Sequence, residues 1–222
     1  MGLVVTLLAA TAALAVMATA RRLGAEQFAR RAAPFLTAGP AAIWMCVSAD
    51  AMFAAVAAWA TLLLAVSATT RRVALQTLAG LASGVLYGCC VMLSYGLPLL
   101  GVLAVTVLVL ARAWRPLPWA LAGAVAVVVA FAALGFAWWE ALPVLQERHW
   151  AGIARHRPGA YWTWADLAAV SISAVPWVGA GLGVASVDAF RRSTERGAPG
   201  RRAVALSRSP ARRCASRRRC RR

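Results

Sequence analysis

Apolar runs near the length of a membrane span recur from the first residues of the chain to about Val187, and short arginine clusters separate them. Hydrophobic residues make up 62% of the chain and charged residues 14%, whereas a soluble domain averages about 45–50% and about 25%. A soluble helical core would need polar stripes on its helices, and most of these runs have none. The pattern therefore predicts an all-α, polytopic integral membrane protein.

Breaks in the apolar pattern divide it into seven predicted spans. The segment Ser48-Ala49-Asp50 offers an N-cap for the third span, and the SYG sequence at 94–96, followed by Pro98, divides the next long run. Pro118 suits the first turn of the sixth helix, and Pro176 predicts a kink in the seventh. The predicted spans are 2–20, 33–47, 51–67, 73–93, 97–111, 119–137 and 166–187.

The arginines predict the orientation of these spans. Loops 21–32, 69–72 and 112–117 carry arginines in excess, whereas the turns near Asp50 and Ser94 carry none. Because cytoplasmic loops of membrane proteins are enriched in basic residues, seven spans with the N-terminus outside and the C-terminus inside satisfy every loop. An even number of spans would leave one group of arginines on the wrong side. We expect a multi-pass protein of the plasma membrane, in contact with its lipids.

The segment 188–222 has a different composition from the rest of the chain. Thirteen of the 24 arginines lie after Phe190, which predicts a disordered cytoplasmic tail that touches anionic lipid headgroups. A shifted reading frame in a GC-rich gene would give the same composition. No nucleic-acid partner is expected, because no folded reading module accompanies the charge. Cys214 and Cys220 lack the spacing of a zinc site, and no metal or cofactor is predicted.

Polar residues concentrate between the predicted sixth and seventh spans, in an external tryptophan-rich loop at 138–165. Its arginines have forked donors that suit a phosphate, and its histidines suit a proton carrier. Its aromatic residues would stack on a sugar or lie in the aromatic belt of the membrane interface. The alternative is a surface amphipathic helix with Leu142, Leu145, Trp150 and Ile153 towards lipid.

Two further polar residues lie at predicted outer turns. Asp50 is interpreted either as an exposed helix cap or as an acid that faces a polar cavity, and Tyr95 as an interfacial aromatic or a substrate contact. The candidate substrate-binding residues are Asp50, Tyr95, Glu147, Arg148, His149, Arg155, Arg157 and Tyr161.

Three segments together resemble a known class of enzymes. They are AAPFLTAGPAAIWMCVSADAMFAAVAAW, LSYGLPLLG and FAWWEALPVLQERHWAGIARHRPGAYWTWADLAA. In style and order, these segments resemble actinobacterial membrane glycosyltransferases of the GT-C fold class, of the mannosyl-, arabinosyl- or methylthioxylose-transferase type. The resemblance covers roughly Ala32 to Leu182 and includes no diagnostic catalytic motif.

The resemblance implies transfer of a sugar from a polyprenyl-phosphate donor to a cell-envelope acceptor at the outer face of the plasma membrane. In that class the catalytic acid lies in the first large external loop. Here the first loop is short and basic, with Glu26 as its acid. We therefore expect a fragment that begins after the acid-bearing loop, and the catalytic residue is unknown.

A non-enzymatic membrane protein is the alternative hypothesis, either a transporter component or an assembly subunit. The long runs at 34–68 and 73–111 each divide into two short helices, as an internal repeat of a transporter would. Their sequences match only in hydrophobicity, so this hypothesis ranks second.

Overall fold

The computed structural model describes residues 2–39, 48–152 and 158–173, with 181, 183, 184, 186, 187 and 190. The chain divides into two units, Met1–Ser173 and Ala174–Arg222, and the helices below belong to the first. They are α1 (Gly2–Arg22), α2 (Glu26–Ala38), α3 (Ala49–Thr69), α4 (Val73–Leu93), α5 (Leu100–Ala111), α6 (Leu117–Ala133), α7 (Trp138–Ala151) and α8 (Gly159–Ser173). A 3-10 turn, Leu97–Leu99, leads into α5.

Among the described residues the protein is helical and contains no strand, in agreement with the predicted all-α class. Helices α1, α3 and α4 are each 21 residues long, and they are apolar enough to cross a membrane. The axis bends by 70° between α6 and α7. The two helices therefore give a fourth crossing only if they count together as one broken span. Helix α5 with its 3-10 turn is apolar but shorter. The described residues thus contain three to four candidate spans, fewer than the seven predicted for the whole chain.

The helix bounds fit the predicted spans closely in the middle of the chain. Helix α4 covers the same residues as its predicted span, 73–93. Helix α3 extends two residues beyond each end of its predicted span, 51–67. Ser48 is the N-cap of α3, since its Oγ accepts a hydrogen bond from the Asp50 backbone N–H at 3.0 Å. Pro118 lies in the first turn of α6, as predicted. Asp50 is therefore a first-turn residue, and the cap is Ser48.

The predicted bounds are wrong around the tryptophan-rich segment. Helix α6 ends at Ala133 instead of 137, because Gly135 adopts a left-handed conformation (φ +91°) that turns the chain away. The segment expected as the loop 138–165 instead forms α7 and the start of α8. Alanine, leucine, glutamine, glutamate and arginine in this segment all favour helix, and that preference outweighs the tryptophans. The interpretation as a surface helix is the better one here.

Two predicted spans lie partly outside the described residues. Helix α2 covers the first residues of the predicted span 33–47, and it begins earlier, at Glu26. Helix α8 covers the first part of the predicted span 166–187 and also begins earlier. Residues 40–47 and most of 174–187 are outside the described residues, as is the predicted tail, except Phe190.

Helices α1 and α3 run in the same direction. Trp59 Nε1 donates a hydrogen bond to Thr11 Oγ1 at 2.9 Å, about midway along both helices. Leu23, just past the end of α1, packs against the cluster of Leu64 and Ala65 near the end of α3. Because the two helices are parallel, Ser48 at the start of α3 lies at the end of the bundle at which α1 began.

Helix α4 runs antiparallel to α3 and is joined to it by side-chain hydrogen bonds. Ser67 Oγ donates to the Gln76 carbonyl at 2.6 Å, and Ser83 Oγ donates to the Ala60 carbonyl at 2.8 Å. Buried hydroxyls in an apolar bundle need such partners, since an unpaired polar group is costly there. These bonds fix the register of the two helices.

Helix α4 packs on α6 through glycines. Gly80, Gly84 and Gly88 lie four residues apart on one face of α4, and Gly123 faces them from α6. A Cβ at Gly84 would overlap the Ala120 carbonyl oxygen, and one at Gly88 would come within 2.8 Å of Val127 Cβ. Small residues at this spacing let two membrane helices approach backbone to backbone. The contacts also show that α4 and α6 are parallel.

These directions divide the bundle into two ends. Leu23, Ala68 and Leu117 all pack against one cluster around Leu64, Ala65 and Leu108, so the connections 23–25, 70–72 and 112–116 lie together; we call this the basic end. Residues 48–50, the turn 94–99 and the connection 134–137 lie at the opposite end, which we call the Tyr95 end.

We predict that Gly84→Ala destabilises the bundle by about 1–3 kcal/mol, the usual cost of an added methyl group in a close-packed contact. The new Cβ would force α4 away from the Ala120 backbone. The free energy of unfolding, measured by denaturant titration in detergent micelles, tests this. Gly101→Ala is the matched control, because a Cβ there meets nothing within 4 Å. Equal stability of the two variants would contradict the close approach of α4 and α6.

Candidate functional site

The predicted site residues fall in three places. Asp50 and Tyr95 belong to the Tyr95 end of the bundle, whereas Glu147, Arg148 and His149 lie in the last turns of α7. Tyr161 lies in the first turn of α8. Arg155 and Arg157 lie outside the described residues.

Tyr95 attaches the start of α7 to the bundle. Its hydroxyl donates a hydrogen bond to the Trp138 carbonyl at 3.1 Å, and the two rings lie 4.8 Å apart at an angle of 32°. Tyr95 is half-buried, so the contact is partly shielded from solvent. A residue predicted as a substrate contact thus also has a structural role, because it fixes where α7 leaves the bundle.

His149 links the end of α7 to the start of α8 through aromatic contacts. Its ring centroid lies 5.6 Å from that of Trp150 and 5.8 Å from that of Trp162. Tyr161 packs edge-to-face on Trp162 at 5.7 Å. Of the predicted site residues, the structure therefore brings His149 and Tyr161 into one aromatic group. Sequence reasoning placed both in one loop but did not predict this contact.

Arg148 and Glu147 are exposed on α7. Within the described ranges neither side chain forms an ion pair or a hydrogen bond, so the Arg148 guanidinium has its donors free for an anion. Asp50 is also exposed. It lies in the first turn of α3, whereas the other described candidates except Tyr95 lie on α7 and α8.

The apolar residues of α7 are as exposed as the charged ones. Leu142, Leu145 and Trp150 lie on the surface of the helix, and α7 contributes no buried side chain. A helix with exposed leucine, tryptophan and arginine has the composition of an element at a membrane interface. Ile153, the fourth residue of the predicted lipid-facing set, is outside the described residues.

One acid of the basic end is fully paired. Glu26 accepts a hydrogen bond from Arg30 Nε at 2.7 Å and contacts Arg21 Nε at 3.0 Å. The hydrogen bond from Arg30 and the nearby positive charge of Arg21 lower the pKa of the Glu26 carboxyl, against a smaller opposing effect of desolvation. Its role here is to neutralise arginines of α1 and α2.

No set of three or more histidines, cysteines or acids suited to a metal ion occurs in the described part of the chain. The sequence reasoning missed two features, namely the glycine contact of α4 with α6 and a cavity at the basic end. The first had a signal in the sequence, because Gly80, Gly84 and Gly88 repeat at four-residue spacing. The second depends on residues from two separate connections and had none.

Comparison with known proteins found no matching protein-family model, no matching curated protein and no matching solved structure. The resemblance to membrane glycosyltransferases stays a prediction from the sequence.

We predict that Tyr95→Phe loosens the attachment of α7. Loss of one hydrogen bond costs about 0.5–1.5 kcal/mol, which corresponds to about twofold to tenfold faster exchange of the amide protons in the first turns of α7. Hydrogen–deuterium exchange of a peptide covering 138–145 measures this. Tyr87→Phe is the control, because the Tyr87 hydroxyl pairs with Thr61 Oγ1 inside the bundle, 2.9 Å away. Unchanged exchange in Tyr95→Phe would show that the hydrogen bond does not hold α7.

Proposed function

We propose that this chain is a multi-span protein of the plasma membrane with its basic end in the cytoplasm and its Tyr95 end outside. The observation that carries the proposal is the segregation of charge. Arginines of three separate connections lie at one end of a bundle of apolar helices, and basic residues of membrane proteins concentrate on the cytoplasmic side.

The seven-span topology is part of this proposal. The parallel arrangement of α1 and α3 supports a crossing between them, because the chain has to return across the bundle. A last crossing after α7, at the predicted 166–187, would leave the C-terminal tail on the same side as the other arginines. The seven proposed spans are these two crossings together with α1, α3, α4, α5 and α6.

We expect cysteine labelling to show this orientation. In a variant without the native cysteines, Gly96→Cys should react with a membrane-impermeant maleimide on intact cells, whereas Thr69→Cys should react only after the membrane is opened. Both positions are exposed at helix ends, and Gly96 has a backbone conformation that a side chain tolerates. The opposite pattern would reverse the orientation, and equal labelling of both positions on intact cells would contradict a membrane-spanning bundle.

Within this topology, we infer that the chain is related to glycosyltransferases that use a polyprenyl-phosphate sugar donor. Such a donor has an isoprenoid tail, a phosphate and a sugar. The surface of α7 and the start of α8 offer a counterpart to each, with exposed leucines, the Arg148 guanidinium, and the aromatic group of His149 and Trp162. Arginine suits the phosphate because its forked donors match phosphate oxygens. In this proposal Arg148 holds the leaving lipid phosphate as negative charge develops on it.

The reaction would also require a carboxylate that deprotonates the acceptor hydroxyl. We assign no residue to that role. Asp50 is exposed and separate from the residues of α7, so it is proposed as a contact to substrate at most. The residues of this chain would bind and orient the donor at the outer membrane face.

We predict that Arg148→Ala lowers sugar transfer by about tenfold to a hundredfold, the range for the loss of a hydrogen bond to a charged group. Membranes from cells that express the gene, supplied with a labelled polyprenyl-phosphate sugar, provide the assay. Arg72→Ala at the basic end is the matched control and should retain activity. Transfer that is unchanged in Arg148→Ala would remove Arg148 from the phosphate role. Failure of the wild-type protein to bind the labelled donor would contradict the enzyme proposal, because the role assigned to this chain is to bind and orient the donor.

The bend between α6 and α7 favours the second candidate function, a transporter component or an assembly subunit. Broken helices near a binding site are a common feature of secondary transporters, and the axis here turns by 70° across a short break. This candidate predicts ligand-dependent transport by reconstituted protein, or a stable partner, without any sugar transfer.

A further inference from the structure

A cavity of about 280 Å³ lies at the basic end, away from the proposed donor site. It forms where the connection after α3 and the start of α4 meet the connection between α5 and α6. Its lining residues are Ala68, Thr70, Gln76, Arg112, Ala113, Trp114, Arg115 and Pro116.

The cavity is positively charged. Arg112 and Arg115 are exposed on its wall, and no acidic residue lines it. Within the described ranges, ion pairs of the basic end join only Arg21 and Arg30, both to Glu26. The Thr70 hydroxyl and the Gln76 amide add hydrogen-bonding groups beside the two arginines. Two unpaired guanidinium groups with neutral donors nearby are suited to a phosphate.

The backbone of Arg112 places it at the cavity. Arg112 follows the last turn of α5 with φ 51° and ψ 38°, the left-handed conformation. Its N–H bonds to the Val109 carbonyl, and the Ala113 N–H bonds to the Leu108 carbonyl, which is the helix-ending arrangement in which glycine is preferred. This turn ends α5 beside the cavity, so that Arg112 and Arg115 both line its wall.

The surroundings point to a lipid as the source of the phosphate. The cavity lies at the ends of α3 and α5, hence at the depth where apolar helix surface meets water. Trp114 is 52% exposed beside it, as in the aromatic belt, and Val109 and Leu110 on the last turn of α5 are 53% and 64% exposed. A ligand with an anionic head in the cavity would have its acyl chains on this apolar surface.

We propose that this cavity binds the phosphate of an anionic glycerophospholipid, such as phosphatidylglycerol, in the cytoplasmic leaflet. Basic pockets between membrane helices on that side recognise anionic headgroups in this way. Arg112 and Arg115 contact the phosphate oxygens, Thr70 and Gln76 provide hydrogen bonds, and the acyl chains follow α5. The site is independent of sugar transfer at the opposite end.

The test uses the purified full chain in a neutral detergent, with unfolding followed by tryptophan fluorescence. Phosphatidylglycerol, phosphatidylcholine and sodium phosphate are titrated separately, and the rise in Tm gives an apparent Kd for each. We expect phosphatidylglycerol to raise Tm with saturation, whereas phosphatidylcholine and millimolar sodium phosphate do not.

Two sets of variants locate the effect. Arg112→Gly with Arg115→Gln should raise the apparent Kd for phosphatidylglycerol by about tenfold or more, the range for loss of a hydrogen bond to a charged group. Glycine at 112 keeps the left-handed backbone, so the double variant is expected to fold. Arg22→Gln with Arg31→Gln removes the same charge from the basic end outside the cavity and should leave the apparent Kd unchanged.

Each other result overturns the proposal in a defined way. An equal loss in the Arg22 and Arg31 control would show that diffuse surface charge, including the arginine-rich C-terminal segment, attracts the lipid. A full stabilisation by sodium phosphate alone would show a free-anion site instead of a lipid site. If the double variant fails to fold, Arg115→Gln alone is titrated against Arg31→Gln alone, and equal Kd values for those two would reject the cavity.

Discussion

The cost of placing charge in an apolar layer is the constraint on which this structure depends. Each guanidinium in hydrocarbon would be strongly unfavourable, and the arginines of the described helices lie at helix ends or on α2 and α7. Because α1, α3 and α5 end in the same direction, the arginines that follow them come together without any attraction between them. The positive charge of the basic end is thus a result of helix direction.

Once charge is excluded, the bundle is left with few specific contacts, and small residues provide them. Apolar side chains gain little from each other when lipid is the alternative, so close backbone approach and hydrogen bonds decide which helices pair. Gly84 and Gly123 allow α4 and α6 to touch through their backbones, while Ser67 and Ser83 fix α4 against α3. Helix α4 therefore holds the bundle together from both sides.

The two ends of the bundle differ in chemistry because helix direction brings the arginines of three connections to one of them. At the basic end, two connections meet and enclose a polar cavity with unpaired arginines. At the Tyr95 end, connections without arginine leave room for aromatic contacts, and Tyr95 directs α7 away from the bundle through Trp138. Arg148 and His149 lie on the helix that Tyr95 attaches, so their position depends in part on a residue more than 50 positions earlier in the chain.

The sequence by itself determined the helical class, most helix bounds in the middle of the chain, a helix cap within 48–50 and the grouping of the arginines into separate connections. These features follow from local signals, namely the length of an apolar run, a capping serine and the cost of buried charge. It left two interpretations of 138–151 open, a surface helix and a phosphate-binding loop, and the structure has a helix there. Only the tertiary structure decided that α1 is parallel to α3, that α6 packs on α4, and that Arg112 and Arg115 share a cavity with Thr70. Apart from the glycine spacing on α4, these uniformly apolar helices carry no periodic signal for the face that packs, and contacts between distant connections arise only when the chain is folded.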